Sequence, residues 1–283
     1  MKLNGPNPDL YIPDGLDQTD AIARTTHLGI GAHQDDLEFM AFHGILECYH
    51  DPDRWFGGIT CTNGSGSART GKYSGHTDEQ MQEVRRREQR EAAFVGHYAF
   101  MAQLDYPSRT IKGRSNPDYL ADLKNLVETA GPEVIYTHNP ADKHDTHIAV
   151  VVPVIEAIRQ LPKDRRPRRV LGCEVWRDLD WMMDEDKVPL DVSQHENLAM
   201  ALGGIFDSQI AGGKRYDLAT LGRRRANATF FDSHATDDAE QLWFAMDLTP
   251  LIEDDNLDII DHVQGFLDRF RDDVINKLKN QSG

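Results

Sequence analysis

One apolar run followed at once by ionisable side chains constrains the fold of this chain more than any other feature. The run covers residues 27–32, and His33, Asp35 and Asp36 come directly after it. Such a run is typical of a strand that is buried in a parallel sheet. In open α/β sheets, ligands bind beyond the carboxyl ends of the strands. We therefore expect one imidazole and two carboxylates to face a ligand at the end of this strand.

A second group of histidine and aspartate side chains follows another strand-like run at residues 133–137. Its members are His138, Asp142, His144, Asp145 and His147. Two such groups at two strand ends can converge on one divalent ion. Imidazole and carboxylate ligands without a nearby cysteine suit a catalytic zinc ion that keeps an open coordination position. The pattern predicts one zinc ion per chain, with Fe²⁺ as the alternative metal.

The adjacent carboxylates of Asp35 and Asp36 have two interpretations. On a tight strand-to-helix turn they point in different directions, so that one can bind a metal while the other accepts a proton from water. Alternatively, the pair caps the helix predicted from Leu37, where negative charge is favourable. The position of His33 at the strand end favours the metal site. His138 is left open, because it could simply end its strand.

Composition excludes several classes of partner. The net charge of −16 repels nucleic-acid phosphates and anionic membranes. No stretch approaches the ~20 apolar residues of a membrane span, and the N-terminus lacks the apolar core of a signal peptide. We therefore expect a cytoplasmic protein that acts on a small molecule. The three cysteines are widely spaced and odd in number, which predicts buried free thiols.

Strand-like and helical patterns alternate from residue 27 onward. The predicted strands cover 27–33, 55–62, 99–105, 133–138 and 169–176, and the predicted helices cover 37–50, 78–95, 117–129, 146–160, 198–206 and 257–279. This alternation implies βαβ units and an α/β fold with a parallel sheet. Residues 1–24 are predicted to be an extended polar lead-in.

The domain organisation is predicted to be simple. We expect a single domain over residues 1–283, with a core at 25–230 and a C-terminal helical extension at about 240–283. The helix at 257–279 carries one apolar face. We expect this face to pack within the chain, and a homo-oligomer contact is the alternative.

The motifs in these segments resemble those of a known family. Ala32-His33-Gln34-Asp35-Asp36 resembles the A-H-P-D-D signature of the PIG-L/LmbE-like zinc-dependent N-acetylglucosaminyl deacetylases, and His144-Asp145-Thr146-His147 resembles their H-P-D-H motif. Shorter matches extend the resemblance over about residues 27–210. The resemblance implies a Rossmann-like three-layer α/β sandwich with a mostly parallel central sheet.

The resemblance also implies an activity and a role for individual residues. The activity is hydrolysis of the N-acetyl group from an N-acetylglucosamine-type amino-sugar conjugate, by attack of a metal-bound water. His33, Asp36 and His147 would be the zinc ligands. Asp35 would be the general base, and His144 would stabilise the oxyanion or protonate the leaving amine. Arg85 and Asp105 would contact the substrate.

Two departures from the family motifs concern residues next to these positions. Gln34 replaces a proline, so the turn loses a fixed φ. Thr146 replaces an aspartate that tunes the catalytic histidine, and Asp142 or Asp145 could substitute for it. Because the ligand positions and the base are intact, we expect an active enzyme with an unusual substrate.

Two other functions compete with this one. The first is a zinc amidohydrolase that acts on a non-sugar amide, such as an antibiotic or amino-acid conjugate. The second is a receiver-like, magnesium-binding signalling domain. The receiver-like interpretation leaves the histidines unexplained, and it requires a lysine after the fifth strand, where the chain has Trp176-Arg177-Asp178.

Overall fold

The computed structural model describes residues 1–113 and 116–282. Its strands are β1 (Asp9–Tyr11), β2 (His27–Gly31), β3 (Phe56–Thr62), β4 (Phe100–Tyr106), β5 (Val134–His138), β6 (Arg169–Cys173), β7 (Lys187–Asp191) and β8 (Leu242–Asp247). Its helices are α1 (Gln18–Ala23), α2 (Asp36–Met40), α3 (Phe42–Cys48), α4 (Asp78–Val95), α5 (Ser108–Ile111), α6 (Pro117–Ala130), α7 (Asp145–Arg159), α8 (Glu196–Ile205), α9 (Asp207–Ile210), α10 (Tyr216–Phe230), α11 (Pro250–Glu253) and α12 (Ile259–Gln281).

The strands form one sheet in the order β1-β4-β3-β2-β5-β6-β8-β7. The five strands from β4 to β6 in this order are parallel, whereas β1 and β8 run antiparallel to their neighbours. The predicted α/β fold with a mostly parallel sheet is therefore confirmed. From β2 the chain builds outward to β3 and β4, and then returns to the other side of β2 to add β5 and β6. The strand order thus reverses between β2 and β5, which is where open α/β sheets bind ligands.

Apolar side chains cover both faces of this sheet and hold helices against it. On one face, Leu28 and Ile30 of β2 belong to a cluster with the apolar sides of α6 and α7. On the other face, α2, α3 and α8 pack over Tyr136 and Leu171. The molecule therefore has the three layers that were expected. The three cysteines are free and buried, as predicted.

Several elements differ from the sequence-based prediction. The polar lead-in contains α1 and the short strand β1, which pairs with β4. The single helix predicted at 37–50 is broken at Ala41 into α2 and α3. β7 and β8 were not predicted. β8 lies inside the predicted C-terminal helical extension, and Pro189 of β7 is tolerated because β7 is an edge strand. The limits of the domain itself stay a prediction.

The C-terminal helix α12 packs within the chain only over its first half. Phe266 is buried in the core, and Val263 packs beside it. Leu278, near the other end of the same apolar face, is 62% exposed. Among the described residues, no helix combines the length and the apolar character that crossing a membrane requires.

Candidate metal and catalytic site

The turn after β2 separates the two adjacent carboxylates. Asp35 has a left-handed backbone conformation with φ of 86°, which aspartate tolerates better than most residues. A side chain at Gly31 would come within 2.9 Å of the Cβ atom of Asp36, so the close turn requires glycine there. The side chain of Asp35 makes no hydrogen bond that caps α2. The helix-capping interpretation therefore does not account for Asp35, and its carboxylate is available for chemistry.

His33, Asp36 and His147 come together at the carboxyl ends of β2 and β5. One potential ligand atom from each of the three lies within 4.8 Å of those from the other two. Nδ1 of His33 is 3.4 Å from Oδ2 of Asp36, and Nε2 of His147 is 3.7 Å from Oδ1 of Asp36. Nε2 of His147 is buried and has no hydrogen-bond partner within the described parts of the chain. A metal ion bound by these three side chains would satisfy that nitrogen, so the donor set fits zinc.

The carboxylate of Asp142 contacts the imidazole of His147 at Nδ1, the nitrogen that does not face Asp36. Its Oδ2 atom lies 3.3 Å from Nδ1 of His147 and accepts the backbone N–H of Trp176 at 3.1 Å. Its Oδ1 atom accepts the backbone N–H of His144 at 3.0 Å. Burial, followed by repulsion from His138, lowers the pKa of His147 to about 4, which keeps this imidazole neutral. A histidine that binds a metal is usually neutral, and its other ring nitrogen usually donates a hydrogen bond to a carboxylate.

His138 belongs to the same cluster, although the sequence did not assign it. Its ring stacks on that of His147 with centroids 3.8 Å apart, and its Nε2 atom accepts the backbone N–H of Ala32 at 2.9 Å. His138, Asp142 and His147 form a second group whose ligand atoms are equally close. The members of this group do not line the open cavity, whereas His33 and Asp36 of the first group do. The first group therefore suits a catalytic metal better, because such a metal needs an open position.

Arg85 lies behind the carboxylate of Asp35. The guanidinium of Arg85 is almost fully buried, and it donates to Oδ2 of Asp35 at 3.0 Å, to the carbonyl oxygen of Gln34 and to Oγ of Ser208. Burial raises the pKa of Asp35 to about 6, against the attraction of Arg85. A carboxylate with such a pKa can accept and release a proton near neutral pH. Arg85 thus positions Asp35, and its contact with a substrate stays a prediction.

His144 caps the first turn of α7 and also lines the cavity. Its Nδ1 atom accepts the backbone N–H of Thr146 at 3.2 Å, so in the neutral imidazole the proton is on Nε2. Its ring lies 5.1 Å from that of His33. Asp142 contacts the backbone of His144 rather than the ring, and no carboxylate among the described residues bonds to the ring. Burial and repulsion from His33 lower the pKa of His144, whereas the charges of Asp36 and Asp142 raise it. Asp142 can therefore substitute in part for the aspartate that Thr146 replaces.

An open cavity of about 480 Å³ lies above these residues. Most of its walls come from the turn after β2, the loop around Ser67, the segment after β6 and helix α10, and single residues of other elements complete them. The residues that line it are His33, Asp35, Asp36, Phe39, Gly66, Ser67, Ala68, Arg85, His144, Val175, Trp176, Gln209, Lys214, Tyr216, Ala219, Thr220, Arg223 and Trp243. None of the lining residues from Val175 onward was predicted as a site residue, although Gln209 lies in one of the shorter family matches.

Asp105, which the sequence analysis expected to contact the substrate, is not among the residues that line this cavity. It lies in β4, two strands away from β2, and its Oδ1 atom accepts from Nη2 of Arg86 at 2.9 Å. Its backbone has φ of 66°, which resembles that of Asp35. The ion pair links the end of β4 to α4, and a contact of Asp105 with a substrate stays a prediction.

The geometry of Asp142 leads to a prediction about metal affinity. Asp142→Asn removes the charge that orients and polarises His147, so we expect metal affinity to fall by about 10–100-fold. The measurement is a competition titration of the full chain against a zinc chelator. Asp145→Asn is the matched control, because Asp145 is exposed beside the same helix and carries the same charge. Equal affinities of the Asp142→Asn protein and the unaltered protein would contradict the assigned role.

Comparison with known proteins agrees with this arrangement of residues. Residues 28–158 match the family model described as PIG-L, GlcNAc-PI de-N-acetylase. The matched segment starts in β2 and ends in α7, so it contains both halves of the site. We call this matched segment the PIG-L region. The motif resemblance found in the sequence is thereby confirmed. No curated protein matches the chain.

Solved structures resemble the chain well beyond the PIG-L region. N,N'-diacetylchitobiose deacetylase from Pyrococcus horikoshii has a TM-score of 0.61 at 15% identity, over 81% of this chain and 86% of that one. GalB, the 4-carboxy-2-hydroxymuconate hydratase from Pseudomonas putida, has a TM-score of 0.59 at 16% identity, over 79% and 96%. A conserved protein from Thermus thermophilus has a TM-score of 0.59 at 17% identity, over 78% and 94%. At these identities the likeness establishes the shared fold.

Proposed function

We propose that this protein is a zinc-dependent N-deacetylase that acts on an N-acetylglucosamine-type amino-sugar conjugate. The observation that carries the proposal is the convergence of His33, Asp36 and His147 beside an open cavity that Asp35 and His144 also line. The PIG-L region contains all five residues, and the family description supports an amino-sugar amide as the substrate. The P. horikoshii deacetylase, which shares the fold, acts on an amide of the same kind according to its description.

In this proposal His33, Asp36 and His147 hold the metal. A bound zinc ion would polarise the amide carbonyl and lower the pKa of water at the site. Despite burial, His147 and His138 keep the pKa of Asp36 well below its usual range, so this ligand is ionised. Asp142 fixes the ring of His147 through Nδ1, which leaves Nε2 directed at Asp36.

The remaining two residues move protons. Asp35 accepts the proton of the attacking water, with its carboxylate held in place by Arg85. His144 carries its N–H on Nε2, because Nδ1 accepts from Thr146, and so it can donate to the developing oxyanion and then to the leaving amine. Trp176 lies beside His144, with ring centroids 6.0 Å apart, and offers an apolar face to the sugar.

The two alternative functions receive different support from the structure. A zinc amidohydrolase of a non-sugar amide would use the same residues, so only the substrate separates it from the proposal. A receiver-like signalling domain is not supported. The chain forms a mixed eight-stranded sheet and matches the PIG-L family model, and neither is a feature of a receiver domain. A hydratase with the same fold shows that fold alone does not set the reaction.

The test of this function measures acetate release from defined amides. The purified full chain, loaded with zinc, is incubated with N-acetylglucosamine glycosides and with N-acetylated amino acids of similar size. We expect acetate and free amine from the glycosides, loss of activity with a chelator and recovery on adding zinc. Faster release from the N-acetyl amino acids would favour the non-sugar amidohydrolase. No acetate from any amide, with zinc bound, would contradict an N-deacetylase altogether.

A further inference from the structure

A second, smaller cavity lies beside the proposed catalytic one. It has a volume of about 180 Å³ and is bordered by residues of α2, α8, α9 and α10. Phe39 and Thr220 line both cavities and therefore belong to a shared wall. The proposed metal ligands, base and oxyanion donor are not among the residues that line the smaller cavity. We call it the α8–α10 cavity, and it lies outside the proposed catalytic machinery.

Two adjacent glycines of α8, Gly203 and Gly204, leave space in the α8–α10 cavity. Apart from its own helix, a Cβ atom on Gly203 would meet one described atom within 4 Å, Cε1 of Phe39, and a Cβ atom on Gly204 would meet none. Neither glycine has the left-handed backbone conformation that would favour this residue type. Glycine also destabilises a helix relative to alanine. Packing within the described chain therefore does not account for the two glycines, and the space beside them is available to a ligand.

Two buried side chains at the wall of this cavity have polar atoms without hydrogen-bond partners. Glu38 and Arg224 both line the cavity and are only 2% and 3% exposed. Oε1 of Glu38 accepts from Nε2 of Gln89 at 2.8 Å and from the hydroxyl of Tyr98 at 2.7 Å, whereas Oε2 has no partner in the described chain. Nη2 of Arg224 donates to the carbonyl oxygen of Glu38 at 3.1 Å, whereas Nε is unpartnered among the same described residues. Because buried polar atoms nearly always have partners, a bound molecule is a reasonable source of those that are missing.

The rest of the lining is mainly apolar. Its apolar side chains are those of Phe39, Ala199, Met200, Ile210, Leu218 and Leu221. Met200 and Leu218 are largely exposed, so they mark the mouth of the cavity. A dry apolar cavity of about 150 Å³ can hold one benzene molecule. The α8–α10 cavity therefore has room for a single ring with a short substituent.

The charges around this cavity favour neither sign in a ligand. Besides Glu38, the acidic lining residues are Glu196 and Asp217, each of which forms an ion pair with an arginine. A ligand anion would approach the carboxyl group of Glu38, and a ligand cation would approach the guanidinium of Arg224. Both approaches are unfavourable, so a neutral ligand fits best.

We infer that the α8–α10 cavity is a second binding site, which takes a small neutral molecule with one apolar ring and a hydroxyl or carboxamide group. The ring would lie against Gly203 and Phe39, and the polar group would meet Glu38 and Arg224. Hydroxyl and carboxamide groups both donate and accept hydrogen bonds, which suits a carboxyl oxygen together with an Nε–H group. This site would exist whether or not the protein is a deacetylase.

The experiment uses the methyl group of Met200 as a reporter, because Met200 lines the α8–α10 cavity and is not among the residues that line the larger one. The full chain is labelled with ¹³C at its methionine methyl groups, and the Met200→Leu protein identifies the Met200 signal in NMR spectra. Benzamide, benzyl alcohol, toluene and benzoate are the probes. We expect saturable shifts of this signal with benzamide and benzyl alcohol. Toluene and benzoate should bind about fivefold more weakly, as for loss of one hydrogen bond.

Two matched variants locate the binding. Gly204→Leu places a side chain in the cavity and should abolish the saturable shift with benzamide. Gly222→Leu makes the same change on α10, where a Cβ atom would also meet no described atom within 4 Å, and should leave benzamide binding unaltered. Both changes should raise the Tm, because leucine favours a helix more than glycine does. A fall in Tm would reveal a disturbed fold, and Gly203→Ala then replaces Gly204→Leu as a smaller change at the same wall, with partial loss of benzamide binding expected.

The possible results separate the site from its ligand class. No saturable Met200 shift with any of the four probes would refute the site, and so would unaltered benzamide binding by a folded Gly204→Leu protein. Tighter binding of benzoate or of toluene than of benzamide would overturn the neutral, hydrogen-bonding ligand. Selective binding of benzamide or benzyl alcohol that the Gly204→Leu protein loses and the Gly222→Leu protein keeps would establish both.

Discussion

Asp35→Asn is expected to lower kcat by about 10²–10⁴-fold, while the protein keeps its fold and its metal. An amide oxygen cannot take the proton from water, so the loss should appear in kcat rather than in metal content. The fold should survive, because asparagine also tolerates the left-handed conformation of residue 35 and can accept from Nη2 of Arg85. The measurement combines steady-state kinetics with metal analysis of the same preparation.

Asp105→Asn provides a matched comparison for this variant. Asp105 shares the left-handed backbone and the ion pair with an arginine, but it does not line the cavity. We expect its replacement to change kcat far less than that of Asp35. Full turnover by a zinc-loaded Asp35→Asn protein would remove Asp35 from the mechanism. A loss as large as that of Asp35→Asn in the Asp105→Asn protein would restore the sequence-based role of Asp105.

His147→Ala is expected to remove the metal and, with it, the activity. The imidazole is the predicted ligand on α7, and its loss should reduce metal affinity by more than the about 10–100-fold expected for Asp142→Asn. Zinc should raise the Tm of the unaltered protein, since a ligand that binds only the folded state stabilises it. This increase in Tm should be absent in the His147→Ala protein.

The variant also has a structural cost that must be separated from the metal effect. It leaves the buried carboxylate of Asp142 without one partner, which costs about 1–3 kcal/mol. Thermal unfolding without metal measures that cost directly. His234→Ala, at an exposed histidine far along the chain, serves as the control for histidine loss. Full zinc stoichiometry and an unaltered Tm increase in the His147→Ala protein would show that the ligand assignment is wrong.

Local patterns predicted much of the central fold correctly. The start of α4 is an example, since Thr77 and Gln80 form a reciprocal capping box at the residue where the sequence placed the helix start. The parallel strands β2, β3 and β5 were found from continuous apolar runs, which are characteristic of strands buried on both faces. β1 escaped prediction because three residues are too few to show a period.

The candidate site, like the fold, was predicted only in part from the sequence. The sequence determined the types of residue at the ends of β2 and β5, because His33, Asp35 and Asp36 follow one apolar run and His144 and His147 follow another. Only the tertiary structure decided which of these side chains meet, since this depends on β2 and β5 being neighbours in the sheet. The partners of Asp142 and His138 were likewise decided by the tertiary structure.

The part of the cavity wall formed by Trp176, Lys214 and Arg223 could not be predicted from the sequence, for a physical reason. Trp176, Lys214 and Arg223 come from the segment after β6 and from the region of α10, and no local pattern links them. Their approach to His144 depends on the antiparallel addition of β8 beside β6 and on the packing of α10 against β8. Strand and helix periodicities report on the residues next to one another in the chain, whereas a cavity is formed by residues that are distant in sequence. The residue types of the proposed metal site could thus be predicted from local patterns, whereas the shape and charge of the cavity depend on long-range packing.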